Sequence, residues 1–121
     1  MAAIKSAVSI FTAQALAGDS GVTTSGWLNL DTRYGGIVQG KVTNGGTTLG
    51  KGAVIQAQIS PNQAAGAEAD FECRRVMGKD ASEVTTFEIR IPPEVQNLRL
   101  KVNRGDAAAT IDAIFSRLDE V

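Results

Sequence analysis

The stretch Ala53-Val54-Ile55-Gln56-Ala57-Gln58-Ile59-Ser60 decides the fold class. Ala53, Ile55, Ala57 and Ile59 fall on one parity, and Val54, Gln56, Gln58 and Ser60 on the other. That alternation is the mark of a β-strand with one buried and one wetter face. Pro61-Asn62 ends it, because proline cannot donate to a ladder. The same texture runs outward in both directions. Upstream, Trp27, Leu28 and Leu30 form a first strand ending at Asp31-Thr32. Tyr34-Gly35-Gly36 breaks the chain before the run Ile37 to Thr43, and Asn44-Gly45-Gly46 opens a polar loop as far as Gly52.

Downstream, Phe71, Cys73, Arg75 and Met77 share one parity and Asp70, Glu72, Arg74 and Val76 the other. Gly78-Lys79-Asp80 turns the chain into Thr85, Phe87, Ile89 and Ile91, which Pro92-Pro93 stops. Leu98, Leu100 and Val102 then alternate with Arg99, Lys101 and Asn103, and Arg104-Gly105-Asp106 is the next turn. About eight such strands at this spacing predict an all-β chain, an antiparallel β-sandwich or a jelly-roll-like barrel. The C-terminal segment stays open between two readings. Ile111, Ile114, Phe115 and Leu118 fall at helical spacing with Asp106 as a cap, whereas a strand would put Ile111, Ala113 and Phe115 on one face. Periodicity alone favours the helix.

Length and composition agree with one small domain of 121 residues. With 43% hydrophobic and 21% charged residues the chain is globular, and with only 5% aromatics its core is thin. Thin cores gain from oligomerisation. Lys5, the run Ala7 to Phe11 and Ala15-Leu16-Ala17 imitate a signal peptide, but Ser9, Thr12 and Gln14 dilute the apolar stretch. No run reaches the ~18 apolar residues of a membrane helix. A net charge of −1 offers no general attraction for nucleic acid or an anionic membrane.

The chain has no histidine, which removes the commonest general base and metal ligand. Its single cysteine, Cys73, excludes an intrachain disulfide, and its parity predicts a buried structural thiol. Asp70, Glu72 and Arg74 share a face and read as a mutually screened surface. Lys51 is followed by Gly52 and a strand, so the glycines around it form a hairpin loop and not a phosphate cradle. Arg104-Gly105-Asp106 spells a cell-adhesion tripeptide, which turn chemistry explains equally well. Arg90, Arg99 and Lys101, with Arg104 at their end, are expected to project outward from two consecutive strands, as a solvated face or a partner-binding stripe. The residues therefore specify a scaffold, with no catalytic, cofactor-binding or metal-binding set.

The order of the segments adds a resemblance. The run Trp27-Leu28-Asn29-Leu30-Asp31-Thr32-Arg33-Tyr34-Gly35-Gly36 leads into Ile37-Val38-Gln39-Gly40-Lys41-Val42-Thr43-Asn44-Gly45. Next come Val54 to Ser60 with Pro61-Asn62, then Val95 to Val102, and the close Ile111-Asp112-Ala113-Ile114-Phe115-Ser116. This resembles the small all-β virion proteins of tailed bacteriophages, of the capsid cement or decoration type. The resemblance implies that the closing segment is a strand completing a sandwich. It also implies a non-enzymatic role without cofactor. Such a protein, made in the host cytoplasm, binds the major capsid protein on the capsid exterior as a homo-oligomer, a dimer or trimer, and clamps neighbouring subunits. No nucleic acid or membrane is involved. Residues 1–7 are then expected to form an extended arm adding a strand to a neighbouring sheet edge. Two alternatives stand beside it: a head–tail connector or tail protein, and a carbohydrate-binding β-sandwich that would use Trp27 and Tyr34.

Overall fold

The structure, a computed structural model, describes residues 4–17, 21–30, 35–45, 53–63, 66–76, 82–105 and 108–120. They form nine strands: β1 (Ile4–Leu16), β2 (Val22–Thr24), β3 (Leu28–Asn29), β4 (Gly36–Asn44), β5 (Ala53–Ser60), β6 (Ala69–Val76), β7 (Val84–Ile91), β8 (Asn97–Asn103) and β9 (Ala109–Glu120). One sheet has the order β1-β9-β4-β7. The other has the order β2-β8-β5-β6, with β3 also on β8. Every pairing is antiparallel. The fold is therefore a β-sandwich, as the alternation predicts, and no described residue is helical.

The core is aliphatic, as the scarcity of aromatics requires. Val38, Val42, Ala53, Ile55, Ala57, Ile89, Leu98, Leu100, Val102, Ile111 and Phe115 are all fully excluded from solvent. They are the period-two sets of β4, β5, β7, β8 and β9, so each strand's pattern selects the face it turns inward. Ile59, expected with this set, is only partly buried against it. Gly40 belongs to the β4 set and needs its missing side chain: a Cβ there would overlap the Phe87 ring and come 2.6 Å from the Asp112 carbonyl oxygen. Phe87 stands opposite Gly40 in the ladder and lies across it.

Three expectations change. First, the C-terminal segment is the strand β9, not a helix. It lies between β1 and β4 and pairs with both, so its backbone groups are bonded on either side. Ile111, Ala113 and Phe115 enter the core, and Ile114, which the helical count placed on the buried face, is 47% exposed. Local periodicity lost to long-range ladders, which a single-sequence count does not see. The expected cap, Asp106, lies outside the described residues. Second, the arm expected over residues 1–7 is, from Ile4 onward, part of β1 and pairs with β9 of the same chain. Third, the strand expected over Trp27 to Leu30 is only β3, Leu28–Asn29; Trp27 precedes it, and Leu30 follows it into the core.

The margins of the sandwich are blunted. Edge strand β1 carries three register shifts, and Ala13 takes φ 45° with its N–H turned to the Asp112 carboxylate at 2.8 Å. On the opposite side β6 and β7 are the edges of different sheets. Arg74 closes the gap, its Nε donating to the Glu88 carbonyl at 3.1 Å. Irregularity and a charged cap both discourage edge-to-edge pairing. Residues 31–34, 46–52 and 77–81, in the expected turns, lie outside the described residues.

Candidate binding surface

Two surfaces adjoin β6, a polar network and an apolar corner; Val22, Val84 and Ile114 are exposed apolar side chains elsewhere on the sandwich. The register of β6 explains why it adjoins both. Ile55 stands opposite Arg74 and Ala57 opposite Glu72, but Gln58 stands opposite Asp70, so Phe71 is the extra residue of a bulge. The side of β6 that faces the other sheet thus carries Glu72 and Arg74. Cys73, opposite Gln56 on the outer face, is exposed and not the buried thiol its parity predicts. Alternation defines two faces without saying which is inside. At a sandwich margin a long arginine can reach out from the inner one. The bulge also splits the expected acidic set. Glu72 stays with Arg74, 3.1 Å from its Nη2, whereas Asp70 turns to the outer face of β5.

That outer face is one connected network. The buried Gln58 side chain donates from Nε2 to Asp70 Oδ1 at 2.8 Å and accepts from Arg99 Nε on Oε1 at 2.8 Å. Only one orientation of the amide serves both partners. The Arg99 guanidinium also lies 4.4 Å from the centre of the Trp27 ring, within cation–π range, and 3.9 Å from the Glu68 carboxylate. Backbone N–H groups of Glu68 itself and of Gly66 hold that carboxyl below the usual glutamate range, with Arg99 adding to the effect. At the end of the same sheet Asn97 is buried, its Nδ2 donating to the Ser60 carbonyl at 2.9 Å and its Oδ1 accepting from Gln63 Nε2 at 2.7 Å. Ser25 carries the β8 ladder across the gap between β2 and β3, its Oγ accepting from the Leu100 N–H at 2.9 Å.

The second surface is the β6–β7 corner. A concavity of about 350 Å³ is walled by Ile59, Ala69, Phe71, Pro92 and Val95, with Glu94 at its rim. A second, of about 830 Å³, continues past the same Phe71 and Pro92 over Ile37, Gln39 and Ser116 to Arg90. Phe71 is 36% exposed between them because the bulge frees it from both faces.

The four arginines and lysines of the expected stripe do not stand together. Arg90 is on β7 in one sheet, and Arg99 and Lys101 are on β8 in the other, so consecutive strands in the chain are not neighbours in space. Arg99 is committed to the network above. Lys101 and Arg104 are half-buried, with the Arg104 N–H donating to Gly21 O at 2.8 Å. Gly105, the centre of the adhesion tripeptide, is buried, and Asp106 lies outside the described residues. Arg90 alone of the four is exposed. The corner itself escaped sequence reasoning. Its signals, a phenylalanine among charged residues on β6 and a Pro-Pro stop after β7, acquire meaning only once the bulge and the partner sheet are known.

No protein-family model matches this sequence, and no curated protein does. Likeness to solved structures is of fold. A chain in the structure of infectious bursal disease virus Gx strain is similar at a TM-score of 0.57 and 11% identity, over 99% of this chain and 33% of its own. The K3 cleaved adhesin domain of Lys-gingipain from Porphyromonas gingivalis w83 is similar at 0.54 and 10% identity, over 79% and 63%. A mutant of the family 29 carbohydrate-binding module CBM29-2 is similar at 0.51 and 14% identity, over 93% and 86%. The chain thus spans under two thirds of the adhesin domain and a third of the viral chain. A viral chain, an adhesin domain and a carbohydrate-binding module share this sandwich, so the likeness is one of fold and does not choose a role.

Proposed function

We propose that the protein is a non-enzymatic virion structural protein of the capsid decoration type. It binds the outside of a tailed-phage capsid as a homo-oligomer and stabilises contacts between major capsid subunits. The observation that supports this best is how the polar groups are used. Gln58, Asp70, Arg99, Asn97, Gln63 and Arg74 direct their hydrogen bonds to one another and to the backbone, where they hold strands together. The exposed apolar side chain Phe71 sits instead at an open corner, which suits docking. The likeness of fold to a viral chain is in keeping with a virion location. Repeated copies on a lattice would convert weak single contacts into firm attachment.

Co-sedimentation of the purified protein with undecorated phage capsids tests this, with light scattering on the free protein alongside. Saturation at a fixed copy number per capsid subunit is the expected result. A closed ring that does not bind would move the role to the head–tail connector or tail, and a non-binding monomer would remove both. The sugar-binding alternative rests on Trp27, which is half-buried beside Arg99 and not in the core. Quenching of Trp27 fluorescence by an oligosaccharide would favour it over the capsid role. Tyr34, its other expected ring, lies outside the described residues.

A further inference from the structure

We infer that the β6–β7 corner is a docking cleft for an extended peptide segment carrying an apolar side chain and a carboxylate two residues apart. Two adjoining concavities share one ridge, formed by Phe71 and Pro92. On one side of the ridge the walls are Ile59, Ala69 and Val95, with no basic side chain; on the other stands Arg90. The first compartment matches a single aliphatic or aromatic side chain, and the second matches an anion.

Charge fixes the order of the two. Glu72 also lines the second concavity, but its carboxylate is paired with Arg74 at 3.1 Å. Arg90 is exposed, and no described residue supplies it with a hydrogen bond or an ion pair. The Arg90 guanidinium thus faces that concavity without an ion-pair partner among the described residues, and a planar guanidinium is suited to grip a carboxylate with two parallel bonds. Glu94, at the rim of the apolar compartment, repels a second carboxylate there and keeps the acid at the Arg90 end. Spacing follows from the strand. Arg90, near the end of β7, and the ridge residue Pro92 just past it are two residues apart, and alternate side chains of an extended ligand are about 7 Å apart. A free inorganic anion would use Arg90 alone and leave the apolar compartment empty. The partner is thus a protein segment, and this inference stands whether or not that segment belongs to a capsid.

The test titrates the isotopically labelled protein with synthetic nonapeptides rich in serine and threonine. Each bears one leucine and one aspartate two positions apart, in either order, and a matched set carries asparagine in place of aspartate. Amide shifts are expected at residues 69–72, 89–91 and 94–96, and one aspartate peptide should bind about tenfold more tightly than its asparagine counterpart. Arg90→Gln should abolish that difference, and Phe71→Ser should weaken both peptides. Both side chains are exposed, so both variants are expected to fold, and their melting curves check it. The inference is overturned if neither set moves those amides at millimolar concentration, if aspartate and asparagine peptides bind alike, or if the shifts fall on the Trp27 face instead.

Discussion

The outer face of the β2-β8-β5-β6 sheet and the β6–β7 corner lie on either side of one edge strand and treat arginine in opposite ways. On the outer face Arg99 has a ring beneath it, an amide oxygen at 2.8 Å and a carboxylate at 3.9 Å. At the corner Arg90 stands exposed, lining one concavity with a phenylalanine and two prolines. The two residues look alike in sequence, each an arginine alternating with core aliphatics on a seven- or eight-residue strand. The difference teaches that a cation's role is set by what the neighbouring strand places beside it. Where a partner amide is provided, the arginine is structural; where none is, it is available to a ligand.

The largest effect that sharpens this contrast is expected at Gly35, which builds the corner without facing it. Its φ is +77°, and a Cβ there would overlap the Ile91 carbonyl oxygen and come 2.9 Å from the Pro92 carbonyl carbon. Gly35→Ala should cost about 3 kcal/mol from left-handed strain and overlap together, read as a shift of the urea midpoint at constant slope. It should also displace Pro92 and distort the cleft. On the outer face, Gln58→Ala would leave Asp70 and Arg99 without their shared amide and should cost about 1–2 kcal/mol. In a double-mutant cycle with Arg99→Ala the two losses should fall short of adding, since they remove one interaction. Full additivity would break the view that the face is a single network.

A smaller effect depends on pH. Backbone N–H groups hold the Glu68 carboxyl below its ordinary value in the folded chain, so this group stabilises the fold above the unfolded value, near 4.5. The contribution fades as pH falls through the lowered folded value. Glu68→Gln should therefore be less stable than the parent at neutral pH, with the gap closing in acid melts. The smallest effect belongs to the corner. Arg90→Gln and Phe71→Ser should each change stability by no more than about 0.5 kcal/mol, because neither side chain holds strands together. A loss as large as that of Gln58→Ala would place the corner with the scaffold and break the contrast.

Much of the scaffold was legible in the residues. The alternating runs of β4, β5, β7 and β8 each have one apolar parity, and burial of that parity follows directly because a strand's two faces differ only by it. Turn residues marked the stops, as at Pro92-Pro93 after Ile91. What alternation cannot supply is which neighbour a strand acquires. In β9 the helical and extended patterns were both present, and only pairing with β1 and β4 on its two sides selected the extended one.

For the candidate surface the limit was sharper. The parity of β6 was visible, but both faces carry charge, so its inward side depended on the bulge at Phe71 and on Arg74 reaching the Glu88 carbonyl across the margin. By itself, then, the sequence determined a small all-β domain with a thin aliphatic core and no histidine chemistry. Composition and period-two patterning are local properties, and they suffice for that. The tertiary structure alone decided that Arg99 is bound and Arg90 open, and that Phe71 and Pro92 form one ridge. Those relations join residues of neighbouring strands in one sheet or of the two sheets, whose proximity arises from strand pairing and sandwich packing and not from any spacing along the chain.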